Sequence, residues 1–207
     1  LRTITVVGTG TVNIVPDVAQ VNVGAEARAD TVSEAKAEVD GQMVAIHAAL
    51  KEMGINETDI QTSHYSIYYE RELKPVMLEG PVEESQGGYR VSNMLRVTVR
   101  DVEKAGDVVD AAVEAGANQV HGVTFTVDDE SSWQGQAREK AMFDAGARAA
   151  ELAGLAGVEL GAVQSVSEVI GAWPAAMAPT PERIMGGGFA PGELDLSTRV
   201  QVTFAIH

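Results

Sequence analysis

Apolar residues fall into two rhythms along the chain, a two-residue alternation and a three- to four-residue recurrence, and these rhythms outline its elements. Residues 2–15 are rich in β-branched side chains with Gly8 and Gly10 among them, the pattern of a strand bulged or bent at the glycines. Pro16-Asp17 punctuates it. Over 18–28, Val21, Val23, Ala25 and Ala27 alternate with Gln20, Asn22 and Glu26, as in a strand with one face on a core and one in water. The rhythm then changes. Val32, Ala35, Val39, Met43, Ile46, Leu50 and Met53 form one helical stripe, with Thr31 and Glu34 spaced as a capping box and Gly54 as the stop.

The same signals continue to the end of the chain. Strands are predicted over 59–70, 89–99, 119–128, 160–171 and 194–206. Helices are predicted over 102–115, ended by Gly116, and from Ser131 to about Ala156, ended by Gly157. The last helix is opened by Ser131 with Gln134 three residues on, and it is marked by Ala137, Ala141, Ala145, Ala149 and Ala153. Small residues at that spacing let a helix lie close to a sheet or to another helix. Two Pro- and Gly-interrupted stretches, 71–88 and 173–192, read as long loops. The expectation is an α+β fold, order β-β-α-β-β-α-β-α-β-β, with a mainly antiparallel sheet and three amphipathic helices on its apolar face. No linker separates two self-sufficient halves, so one domain over 1–207 is expected.

Charge narrows the partners. Asp and Glu total 30 against 15 Lys and Arg, a formal net charge of -15. Such a chain repels phosphate backbones and anionic lipid, which argues against nucleic acid and peripheral membrane docking. Cysteine is absent, so disulfides, thiolate nucleophiles and Cys-based metal sites are excluded. No apolar run is long enough for a membrane-spanning helix.

Candidate chemistry is sparse. Gly8-x-Gly10 lacks the third glycine and the following helix of a dinucleotide fingerprint. Ser33-x-x-Lys36 has the spacing of a penicillin-recognising nucleophile motif, but neither K-T-G nor S-D-N accompanies it, and helix-start chemistry explains the segment. His47, His64, His121 and His207 include no pair at helical ligand spacing. His121 follows the parity of Val123, Phe125 and Val127 and is expected at the core or its boundary. Asp128-Asp129-Glu130 precedes a helix, where negative charge complements the dipole. Tyr65, Tyr68 and Tyr69 are expected to pack across strands; a stacking platform for bases or sugars is the alternative. No catalytic, cofactor or metal residues are assigned. The 173–192 stretch carries Trp173, Met177, Met185 and Phe189, either as a contact surface or packed back on its own domain.

Several ordered stretches together carry a family resemblance. They are Val7-Gly8-x-Gly10 through Pro16-Asp17; Gly54-Ile55 with Asp59-Ile60-Gln61-Thr62 and Tyr65-Ser66-Ile67; Gly88-Tyr89-Arg90-Val91-Ser92-Asn93; Gly116-Ala117-Asn118 with Gly122-Val123-Thr124-Phe125; the alanine-rich helix, then Gly157, Leu160-Gly161 and Glu168; and Pro191-Gly192-Glu193-Leu194. The chain resembles the SIMPL-domain family of bacterial periplasmic and envelope proteins over nearly its whole length. The resemblance implies an exported protein whose signal peptide is absent here, an α+β fold, a tendency to self-assemble, and a phenotypic link to oxidative stress that names no chemistry. It brings no catalytic residues. The resulting expectation is a non-enzymatic envelope protein acting as a homo-oligomer. The alternatives are a small-ligand binder or hydrolase-type enzyme whose site forms only in the fold, around His64 or His121, and an adaptor using the 71–88 and 173–192 stretches.

Overall fold

The computed structural model describes residues 2–71, 87–169 and 190–207. Ten elements run in the expected order: β1 (Thr3–Ile14), β2 (Val18–Ala29), α1 (Val32–Glu52), β3 (Ile60–Glu70), β4 (Gly88–Val99), α2 (Ala105–Glu114), β5 (Gln119–Thr126), α3 (Ser131–Ala156), β6 (Leu160–Glu168) and β7 (Leu194–Ile206). The fold is α+β and every strand pair is antiparallel. The strands divide between two sheets, one of order β3-β4-β2-β5 and one of order β1-β7-β6. Pro16, buried between β1 and β2, lacks the N–H that would carry a ladder onward, and the two strands belong to different sheets. The chain accordingly forms two compact units, a contiguous one over 17–126 and a split one made of 1–16 and 127–207.

In the contiguous unit, α1 lies on β2 and β4. Its stripe of Ala35, Val39, Met43, Ile46 and Leu50 is buried against Val21, Val23, Val91, Leu95 and Val97. Thr31 caps the helix as its sequence predicts. Its hydroxyl accepts from the Glu34 N–H at 3.2 Å and donates to the Glu34 carboxylate at 2.8 Å. At the far end Gly54 takes φ +83°, and the Ile55 N–H reaches back to the Leu50 carbonyl at 3.1 Å. The same closure recurs after α2 at Gly116 and after α3 at Gly157. On the opposite face of this sheet Met94 lies across Gly24, where a Cβ would meet its sulfur at 2.6 Å.

One expectation fails on β5. Its pairing with β2 shifts register between Val21 and Val23, beside Gly122 at φ +100°. The bulge resets the side-chain parity, so His121 is exposed instead of lying at the core.

The split unit is built around a close helix–strand contact. β1 pairs with β7 without interruption from Thr3–Ala205 to Ile14–Leu194, so there is no bulge at Gly8 and Gly10. These glycines serve a different need. A Cβ on Gly8 would sit 2.1 Å from the Ala141 carbonyl oxygen, and one on Gly10 would sit 2.0 Å from that of Ala137. The α3 backbone passes directly over them, and Ala137, Ala141, Ala145, Ala149 and Ala153 are all buried beneath it. The start of α3 also differs from the predicted capping box. Ser131 is its first helical residue, and its N–H and hydroxyl both donate to the Asp129 carboxylate.

Candidate functional site

Few of the chemistry-bearing residues singled out in the sequence are brought together. His47, on α1, is half-buried; His64, on β3, and His121, on β5, are exposed. Among the described residues no three His, Asp or Glu side chains form a metal-holding group. Lys36 donates to Asp40 one turn along α1; that bond raises its pKa, with a smaller contribution from Tyr65. Asp129 is held below the ordinary carboxylate range by the Ser131 hydroxyl and N–H, which is capping chemistry. Trp173, Met177, Met185 and Phe189 lie outside the described residues.

The one buried carboxylate among the described residues is Asp59. Arg100 donates to both of its oxygens, at 3.0 and 3.2 Å, and Asn56 at 3.4 Å. Arg100 foremost holds the Asp59 pKa down. A cavity of about 140 Å³ adjoins the pair, lined by the turn after α1, the end of β4 and the start of α2. That is below the roughly 300 Å³ of a typical ligand pocket. The arrangement fastens the turn after α1 to β4.

The exposed apolar surface is organised more tellingly. Among the described residues β3 is an edge strand, paired on one side only. After a register shift at Ser63 it runs regularly from His64, opposite Met94, to Glu70, opposite Gly88. Tyr65, Ile67, Tyr68 and Tyr69 are 42–49% exposed, so both faces of this strand are open. Tyr65, Ile67 and Tyr69 stand opposite Asn93, Val91 and Tyr89, on the side of the sheet where Val91 meets α1. Because α1 covers β2 and β4, it leaves this part of β3 uncovered. The outer flank of α1 adds a groove of about 510 Å³ lined by Met43, Val44, His47 and their neighbours. Tyr69 packs edge-on to Tyr89, with centroids 5.1 Å apart and planes at 62°. At Tyr69 this is the cross-strand packing the sequence predicts. Tyr68 points to the other face, beneath the Arg90 guanidinium at 5.9 Å. There Arg90 bridges Glu26 and Glu70 at 2.5 and 2.6 Å, tying three strands together.

The β1 and β5 edges are managed differently. On β1 the Thr9 N–H donates to Asp144 at 2.8 Å, and the Thr11 carbonyl accepts from Lys140 at 3.0 Å. Both partners come from α3, so its side chains occupy the groups a new strand would need. β5 is short and broken by its bulge. β3 has no helix side chains on its ladder groups among those described, and beyond its shift at Ser63 it runs unbroken for seven residues. From Ile60 to Tyr69 it carries no Asp, Glu, Lys or Arg, in a chain that is 22% charged. That uncharged run and the mixed parity of Tyr65, Tyr68 and Tyr69 are the signals by which sequence alone would have marked it.

The family model described as SIMPL, a protein of unknown function (DUF541), matches residues 4–204. The 26 kDa periplasmic immunogenic protein of Brucella melitensis is 31% identical over 98% of this chain and 84% of its own length. The uncharacterized protein YggE of Edwardsiella ictaluri is 31% identical over 77% of this chain and 64% of its own, and that of Escherichia coli K12 is 27% identical over 77% and 62%. No described helix is long and apolar enough to cross a membrane. With its family model spanning both units in one continuous match, this chain belongs to the SIMPL family.

Proposed function

We propose that this protein is a non-enzymatic component of the bacterial cell envelope that works by self-assembly, with the β3 edge adding to a strand of another copy. The observation that carries the reading is β3 itself: a regular, uncharged, tyrosine-rich edge open on both faces, while β1 in the same chain is closed. Tyrosine supplies large contact area at low entropic cost, as at many interfaces. Charge explains why the contact should be neutral. Copies each carrying a net charge of -15 repel unless they meet where local charge is absent. The periplasmic name of the Brucella relative supports the compartment. The family match across both units supports treating them as one functional domain. On sequence grounds Trp173, Met177, Met185 and Phe189 are proposed as additional contacts.

Sedimentation velocity and light scattering across the micromolar range test this. The wild type should sediment as an oligomer. Ile67→Lys places a charge on an already exposed position and should weaken association by about tenfold or more. A strict monomer throughout that range would overturn the reading.

A further inference from the structure

The two units share a plan. In the contiguous unit, β2-α1-β3-β4 form three strands of spatial order β3-β4-β2 under one helix. In the split unit, β1, α3, β6 and β7 form three strands of order β6-β7-β1 under one helix. Each is β-α-β-β in chain order, and all pairs are antiparallel. Each helix ends on a positive-φ glycine, Gly54 or Gly157, before the third element begins. The last strands also match in sequence. Val91-Ser92-Asn93-Met94-Leu95-Arg96-Val97-Thr98-Val99 aligns with Leu196-Ser197-Thr198-Arg199-Val200-Gln201-Val202-Thr203-Phe204, identical at Ser, Val and Thr, apolar in both at the first, fifth and last positions, and different where the buried Met94 meets the exposed Arg199. The alignment preserves register: Val97 faces Val21 of β2, and its counterpart Val202 faces Val6 of β1.

By this correspondence β6 takes the place of β3 as the edge of its sheet, with a different register: Val166 stands opposite Val202 where β3 has the buried Ile60 opposite Val97, and the pairing with β7 shifts between Leu160 and Val163 and between Val163 and Ser165 before running regularly to Glu168. α3 lies over β1 and β7, as α1 lies over β2 and β4. Val163 and Val166 stand opposite Phe204 and Val202, both buried with the α3 alanines, yet they are themselves 47% and 52% exposed. Leu160–Ser167 carries no Asp, Glu, Lys or Arg. We infer that the chain contains the β-α-β-β unit twice and that β6 is a second assembly edge, so that each copy is bivalent for strand addition. The occupant is a second copy of this chain, because a strand edge is complementary to another of its kind and because both open edges are uncharged within a strongly acidic molecule. The inference rests on the self-assembly reading and adds a second contact to it.

The absence of cysteine makes the test clean. Ile67→Cys, Val166→Cys and a control at the exposed α2 position Val113→Cys are treated with a short bis-maleimide, singly and with Ile67→Cys mixed with Val166→Cys. Thermal melts confirm that each variant is folded. Neighbours held in an assembly see each other at an effective concentration far above micromolar, so cross-linking through Val166→Cys should exceed the control by about tenfold or more. Cross-linking of Val166→Cys alone means that like edges pair; cross-linking only in the mixture means that β3 of one copy pairs with β6 of the next. Either supports a second edge. If the wild type assembles but Val166→Cys cross-links no faster than the control in both arms, the second edge is overturned and the β3 reading stands. A monomeric wild type overturns both.

Discussion

Gly8 and Gly10 show how a single missing methyl sets the distance between a helix and a sheet. A Cβ on Gly8 would overlap the Ala141 carbonyl and the Ala145 N–H, which are backbone atoms and cannot rotate away. Gly8→Ala should therefore cost about 1–3 kcal/mol through forced helix displacement. Gly41 provides the contrast. It lies within α1 with nothing inside 4 Å of its absent Cβ, so Gly41→Ala should stabilise by about 0.5–1 kcal/mol. Denaturant titration of the two variants should move the midpoint in opposite directions. Both partners in the close contact are visible in the sequence, glycines two apart on one strand and alanines four apart on one helix. Their meeting is not, because local pattern contains no information about which distant surface a residue will face. Hence a bulge was the natural reading where close approach is the fact.

At the level of elements, helix boundaries were the most legible feature. Thr31, Gly54, Gly116 and Gly157 act as their chemistry demands, since caps depend on backbone groups only a few residues away. Strand environment was less legible. Edge position is decided by pairing partners far along the chain, so regular alternation does not report it; on β3 only the uncharged run and the mixed parity of its tyrosines signal it. On β5 the Gly122 bulge turned His121 outward. The closed β1 edge makes a prediction of its own. The Thr9 N–H foremost, with Arg148, lowers the Asp144 pKa. A carboxylate depressed in the folded state adds stability that is complete above its unfolded pKa of about 3.9 and is lost as pH falls through the folded value. Asp144→Asn should thus flatten the acid limb of the stability profile below about pH 4. It should also loosen the hook on Thr9, so that light scattering at neutral pH rises faster on heating than for the wild type.

For the whole molecule, the α+β class and the order of elements followed from periodicity, whereas the partition into two sheets did not. The alternation of β1 and β2 looks alike, and only the long-range pairing of β1 with β7 separates them. The doubled β-α-β-β plan was hidden for a related reason, because one copy is interrupted by the other. Of the chemistry weighed in the sequence, His47, His64 and His121 lie on three separate elements and Asp129 caps α3. The residues that the sequence marks as a possible interface, Trp173, Met177, Met185 and Phe189, lie outside the described residues, and the functional reading rests on the edge strands.

The pairing of residues 3–14 with 194–206 has a temporal consequence. Their sheet joins segments far apart in the sequence, so β1 cannot be paired until β7 is available. The stretch 17–126 has its own buried cluster and needs nothing beyond itself. It should acquire structure first, with the high-separation sheet following as the slower event. Pulse-labelled hydrogen exchange during refolding should find the amides of β2 and β4 protected ahead of those of β1 and β7; simultaneous protection would refute this order. Until then β1 waits as an unpaired, glycine-bearing ribbon, and the molecule is at its most vulnerable to proteases and misassociation in that interval.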